Sequence, residues 1–99
     1  MALVEALRLS TTLKYLNLDD NFLGDYVGMQ LGKALKLNSA LTSLKLHDSS
    51  FGDDSGVDLA EALKSNATLT FLDLSKNSLG EGTGFTLGEV KFYFSIARP

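Results

Sequence analysis

Apolar and polar positions follow two rhythms along this chain. Leu16 and Leu18 alternate with Tyr15, Asn17 and Asp19, the two-residue period of a short strand with one buried face. Leu31, Ala34 and Leu35 follow at spacings of three and four, the stripe of an amphipathic helix, and Leu59, Ala62 and Leu63 repeat it. Gly24, Gly52 and Gly80 fall between the two kinds of element, where the turn is expected to use a positive φ. Acids come next (Asp25, Asp53, Glu81), at the helix starts, where they are expected to cap free N–H groups and favour the helix dipole. Asn38 and Asn66 stand just past the helices, where a left-handed Asn is expected. Each unit therefore reads strand, turn, helix, turn. Strands that recur this way all point in one direction, which predicts a parallel sheet.

The unit recurs every 28 residues: 13–40 aligns with 41–68 and 69–96. The first two blocks share Leu13/Leu41, Leu16/Leu44, Leu18/Leu46, Asp20/Asp48, Gly24/Gly52, Asp25/Asp53, Gly28/Gly56, Leu31/Leu59, Ala34/Ala62, Leu35/Leu63, Lys36/Lys64 and Asn38/Asn66. The third keeps the pattern through Leu87 and Gly88, then loses it. Leu3, Ala6 and Leu7 fit the helical half of an earlier unit. The organisation is one segment over 1–99: a partial repeat at 1–12, full repeats at 13–40 and 41–68, a degenerate repeat at 69–90 and a tail at 91–99 without repeat character.

Leu13-x-x-Leu16-x-Leu18-x-x-Asn21-x-Leu23 and Leu69-x-x-Leu72-x-Leu74-x-x-Asn77-x-Leu79 resemble the strand signature of leucine-rich repeats. The period of 28 residues and the run Leu59-Ala60-Glu61-Ala62-Leu63 are similar to the ribonuclease-inhibitor class, which includes the repeats of NOD-like receptors and of the GTPase-activating protein for Ran. The resemblance implies an α/β solenoid, a horseshoe segment with a short parallel sheet on its concave face and helices on its convex face. It also implies a non-enzymatic scaffold that binds a protein partner on the concave face. The alternatives are a regulator of a small GTPase, for which no matching side chain is found, and a structural spacer or gene fragment. Fold is better specified than function, because one scaffold serves many partners.

Two positions depart from the pattern. Ser49 stands in the column of Asn21 and Asn77, whose amides the resemblance assigns to backbone groups of the neighbouring turn, so the ladder is expected to weaken there. Lys91 stands in the core column of Leu35 and Leu63. The tail Phe92-Tyr93-Phe94-Ser95-Ile96-Ala97-Arg98-Pro99 reads as an apolar cap, a stray strand or a product of truncation. Three strands without recognisable end caps predict a marginal fold, or one that leans on neighbouring repeats.

Composition narrows the function classes. A net charge of −3 and a pI near 4.9 argue against nucleic acid as a partner. There is no cysteine and one histidine, which removes thiolate and multi-histidine metal sites. No stretch of about 18 apolar residues is present, so no membrane-spanning helix is expected. With no secretory signal at Met1, the expected location is cytoplasmic. No cofactor or metal is expected.

Strand geometry predicts the binding surface. Residues flanking the buried leucines form columns: Tyr15, Ser43, Phe71; then Asn17, Lys45, Asp73; then Asp19, His47, Ser75. Asp20, Asp48 and Lys76 line the strand exits. The candidate partner-binding residues are Tyr15, Asn17, Asp19, Lys45, His47, Phe71, Asp73 and Ser75, since aromatic and mixed charged side chains suit protein recognition. Lys45 is expected to pair with Asp73, and the lone His47 reads as a surface residue, with a pH-dependent contact to Asp19 as the alternative.

Catalytic and ligand motifs are weak. His47-Asp48-Ser49 has triad residue types, but adjacent strand residues point to opposite faces. Gly80-Glu81-Gly82-Thr83-Gly84 suggests a phosphate loop, yet the third fingerprint glycine is replaced by Phe85. Asp19-Asp20-Asn21 resembles the start of a calcium loop whose twelfth position is Gln30 rather than Glu. Asn66-Ala67-Thr68 is a glycosylation sequon whose residues the repeat already explains.

Overall fold

The computed structural model describes residues 2–90 and 95–97. Its elements alternate: α1 (Ala2–Leu9), β1 (Tyr15–Asn17), α2 (Gly24–Leu37), β2 (Ser43–Lys45), α3 (Asp53–Leu63), β3 (Phe71–Asp73), α4 (Glu81–Leu87) and β4 (Ser95–Ala97). The strands form one parallel sheet in chain order, each crossing to the next through a helix. Leu16 lies opposite Leu44, Leu44 opposite Leu72, and Leu72 opposite Ile96. Like positions of successive blocks thus stand side by side in a mixed α/β fold with a short parallel sheet.

The core fills the space between sheet and helices. Leu44, Leu46, Leu72 and Leu74 from the strands cluster with Leu31, Leu35, Leu59 and Leu63 from α2 and α3, all buried. Phe51, in the column of Leu23 and Leu79, joins them at 1% exposure. Leu16 and Leu18 of the first block are only partly buried, since β1 has a strand neighbour on one side alone. Lys91 and the tail residues 92–94, 98 and 99 lie outside the described residues.

The turns correct two sequence expectations. Only Gly24 takes a positive φ, at 80°, whereas Gly52 and Gly80 are extended. At the strand exits Asp20, Asp48 and Lys76 are left-handed instead, with φ of 60°, 53° and 56°, because the chain reverses directly there, and Ser50 in the second turn is left-handed as well, at 61°. Asn38 is also extended, at φ −83° and ψ 129°, and does not act as a left-handed cap. Its side chain reaches the preceding block instead. Asn38 Nδ2 donates to the carbonyls of Leu7 (2.7 Å) and Ser10 (3.2 Å), while Oδ1 accepts the N–H groups of Ala40 and Leu41. Asn66 repeats the arrangement on Leu35, Asn38, Thr68 and Leu69. Buried turn groups that have no strand or helix partner are satisfied in this way.

The helix-start acids act across blocks as well. Asp25, in the first turn of α2, accepts the N–H of Gly52 at 2.8 Å and the hydroxyl of Ser55, both at the start of α3. Asp53 of α3 accepts the N–H of Gly80 and of Thr83, each at 2.9 Å, and the Thr83 hydroxyl at 2.6 Å. Each acid therefore caps the following helix, not its own. The Ser55 hydroxyl, then the Gly52 N–H, hold the Asp25 carboxyl below its usual range, and the Thr83 hydroxyl and N–H do the same for Asp53.

The third ladder is incomplete, as the sequence suggested. Asn77 Nδ2 donates to the carbonyls of Leu46 and Leu74, and Oδ1 accepts the N–H groups of Ser49 and Phe51. Ser49 is fully buried and its Oγ has no partner. Asn21 bonds only carbonyls of its own turn, Leu18 and Asp19, because no earlier turn stands beside it among the described residues. Ser49→Asn is expected to extend the ladder to Leu18 and raise stability by about 1–2 kcal/mol. That corresponds to a melting temperature higher by several degrees; a lowered midpoint would show that the amide does not fit.

Candidate functional site

The outer face of the sheet carries the predicted columns. Strand alternation turns Leu16, Leu44 and Leu72 toward the helices and their flanking residues away. Register places Tyr15 beside Ser43 and Ser43 beside Phe71, then Asn17 beside Lys45 and Lys45 beside Asp73. Tyr15 is 75% exposed, and Phe71 is half-buried. Asp19, His47 and Ser75, just past the strand ends, are brought together by hydrogen bonds rather than by sheet pairing.

Those bonds form a connected network over three blocks. Asp19 Oδ1 accepts the backbone N–H of His47 at 2.8 Å, and Lys45 Nζ lies 3.4 Å from Asp19 Oδ2. Lys45 therefore pairs with Asp19, against the expected Asp73; the lysine leans toward the preceding block. His47 Nδ1 lies 2.8 Å from Ser75 Oγ, and Ser75 Oγ lies 2.5 Å from Asp73 Oδ1. Asp73 also accepts the Ser75 N–H at 2.9 Å. Burial pushes the Asp73 carboxyl up, but the Ser75 hydroxyl and N–H, aided by His47 and Lys45, leave it lowered overall.

Proton placement follows from these partners. Ser75 gives its hydroxyl proton to the Asp73 carboxylate, so its oxygen accepts from His47 Nδ1–H. His47 Nε2, the other ring nitrogen, lies 4.0 Å from Asp20 Oδ1. The expected contact of His47 with Asp19 runs through the main chain; its ring addresses Ser75 and Asp20. This order of bonds does not activate Ser75, whose proton is held by a carboxylate instead of an imidazole.

The weaker motifs resolve locally. Ser49 is buried while His47 lies on the outer face, so His47-Asp48-Ser49 does not converge. At Gly80-Glu81-Gly82-Thr83-Gly84 the N–H groups of Gly80 and Thr83 already hold the Asp53 carboxylate, a built-in anion where a phosphate would sit. The sequon nitrogen, Asn66 Nδ2, donates to Leu35 and Asn38 inside the fold. No group of three or more metal-ligating side chains occurs among the described residues. None of their helices is long and apolar enough to cross a membrane.

Sequence reasoning missed the His47–Ser75–Asp73 connection, although the 28-residue offset from His47 to Ser75 was its available signal.

Residues 68–90 match the Leucine Rich Repeat family model. The chain contains a leucine-rich repeat. Among solved structures it is similar to leiomodin-1 actin-binding site 2, with 25% identity, a TM-score of 0.84, and 97% of this chain and 59% of that chain covered. It is also similar to the tropomodulin C-terminal domain of Caenorhabditis elegans, with 19% identity, a TM-score of 0.77, and 87% of this chain and 53% of that chain covered. This chain thus spans little more than half of either neighbour. No curated protein matches it by sequence.

Proposed function

We propose that this chain is a segment of a ribonuclease-inhibitor-type leucine-rich-repeat solenoid that binds a protein through the outer, concave face of its strands, with actin as the first partner to test. The observation that carries the reading is the set of columns led by Tyr15, Ser43 and Phe71, held in register on a face the core does not use. The leiomodin-1 neighbour, itself an actin-binding site, supports the choice of partner. A cytoplasmic setting belongs to the same proposal.

The affinity should be modest. Four strands by about five residues present roughly 320 Å², against about 800 Å² per partner in a standard interface. Phe71, half-buried and beside Ser43 in the sheet, is the aromatic anchor. Lys45 supplies a cation beside Asp19 at the centre.

Surface-immobilised chain and purified actin test the reading. Phe71→Ala and Lys45→Glu are each expected to weaken capture about tenfold, equivalent to about 1.4 kcal/mol, with the melting temperature held within a few degrees. Capture that ignores both substitutions would remove the strand face from the interaction, and no capture at all would remove actin.

A further inference from the structure

We propose that the exposed side of α4 is a docking surface for the first turn of an α-helix carrying a hydroxyl three residues after its leading glycine. This surface continues an interface that the molecule already builds twice. On α2, Asp25 accepts the Gly52 N–H and the Ser55 hydroxyl of α3, and Gly28 leaves the space that Ser55 occupies. A Cβ on Gly28 would collide with Ser55 Oγ and Cβ. On α3, Asp53 accepts the Gly80 and Thr83 N–H groups, and a Cβ on Gly56 would collide with Thr83 Oγ1. The arriving helix starts read Gly52-Asp53-Asp54-Ser55 and Gly80-Glu81-Gly82-Thr83, each with its hydroxyl in the same place.

α4 offers the same two features, acid and glycine, with nothing seated on them among the described residues. Glu81 stands in the column of Asp25 and Asp53, and it is exposed. Gly84 stands in the column of Gly28 and Gly56; those two are buried, whereas Gly84 is exposed and a Cβ there meets nothing within 4 Å. Gly84 lies inside a helix without a positive φ, so its own backbone has no need of glycine, a poorer helix former than alanine. Phe85 is 73% exposed, while Val57 in the same column is half-buried against the Gly82 position of the next helix. The sheet continues past β3 to β4, but no described helix stands beyond α4. An acceptor and a gap in the columns that α2 and α3 both use, with an apolar anchor in the column that α3 uses, are thus displayed together.

The surface lies on the helix side, so it is independent of partner binding on the strands. A side-chain-stapled helical peptide copying Gly52–Leu63 tests it by titration into the isotopically labelled chain. Shifts are expected at Glu81, Gly84 and Phe85, with a millimolar or tighter affinity. Gly84→Ala is expected to weaken peptide binding at least about tenfold while leaving the melting temperature unchanged or higher, because alanine is the better helix former in open space. A peptide carrying Ser55→Ala should bind less tightly as well. Absence of binding into the millimolar range, shifts centred elsewhere, or binding indifferent to Gly84→Ala would each overturn the proposal.

Discussion

Phe51→Ala is expected to destabilise the fold by about 3–5 kcal/mol, the range for deleting a buried aromatic ring. Phe51 leads the fully buried side chains of the core, and its ring edge comes within 3.0 Å of where a Cβ on Gly28 would stand. The ring therefore fills the gap between the turn after β2 and α2. Its backbone is held from the other side: its N–H donates to Asn77 Oδ1 and its carbonyl accepts from Ser78 N–H at 2.8 Å. The turn cannot collapse inward to close a cavity while those bonds persist. Small domains hold only about 5–15 kcal/mol in total, so a loss of this size removes much of the margin. Phe51→Leu should cost less than about 1.5 kcal/mol, since Leu23 and Leu79 occupy the same column. Urea titration followed by far-ultraviolet circular dichroism measures both; a loss under about 1 kcal/mol for alanine would mean that the ring is not a core member.

The core was readable because burial imposes periodicity. Leu16, Leu44 and Leu72 recur at one spacing, and the strands align them in that register. Phe51 was readable only as a column substitution, for an aromatic at a leucine position says little about which gap it fills. The polar ladders were less legible for a different reason. A repeat pattern gives the position of Asn38 or Asp25 along the chain, but their partners depend on the distance between blocks and on which way each side chain leans. Asp25 was thus expected at its own helix start, yet the next start is the one within reach. Lys45 likewise stands between two carboxylates in adjacent blocks, and lean alone selects Asp19. The outer face was legible as columns, because outward positions follow from strand alternation; its internal bonding, as in His47 to Ser75, was not.

The polar ladder should matter as much as the apolar core, and Asn66→Ala is the measurement that decides it. Asn66 is 5% exposed, and its amide holds four backbone groups as well as the Thr68 hydroxyl. Nδ2 donates to the carbonyls of Leu35 at 2.8 Å and Asn38 at 3.0 Å, and Oδ1 accepts the N–H groups of Thr68 and Leu69, each at 2.9 Å. Alanine would leave two carbonyls and two N–H groups without that partner in a place water reaches poorly. An unsatisfied buried group costs about 1–3 kcal/mol, so a total above about 3 kcal/mol is expected even if the turn relaxes. Asn66→Asp separates bonding from size. It keeps the acceptor for Thr68 and Leu69 but turns a charge toward two carbonyls, so it should melt well below the parent at neutral pH. Burial against those carbonyls raises the folded-state pKa of the introduced carboxyl, so the folded chain takes up its proton more readily than the unfolded one. The deficit relative to the parent chain should therefore shrink as pH falls through that raised value, when the acid can donate one bond. Asn21→Ala is the contrast: exposed, and bonded only within its own turn, it should cost less than about 1 kcal/mol. If Asn66→Ala melts like Asn21→Ala, the blocks are held by leucine packing alone, and the buried amide is an ornament of the turn.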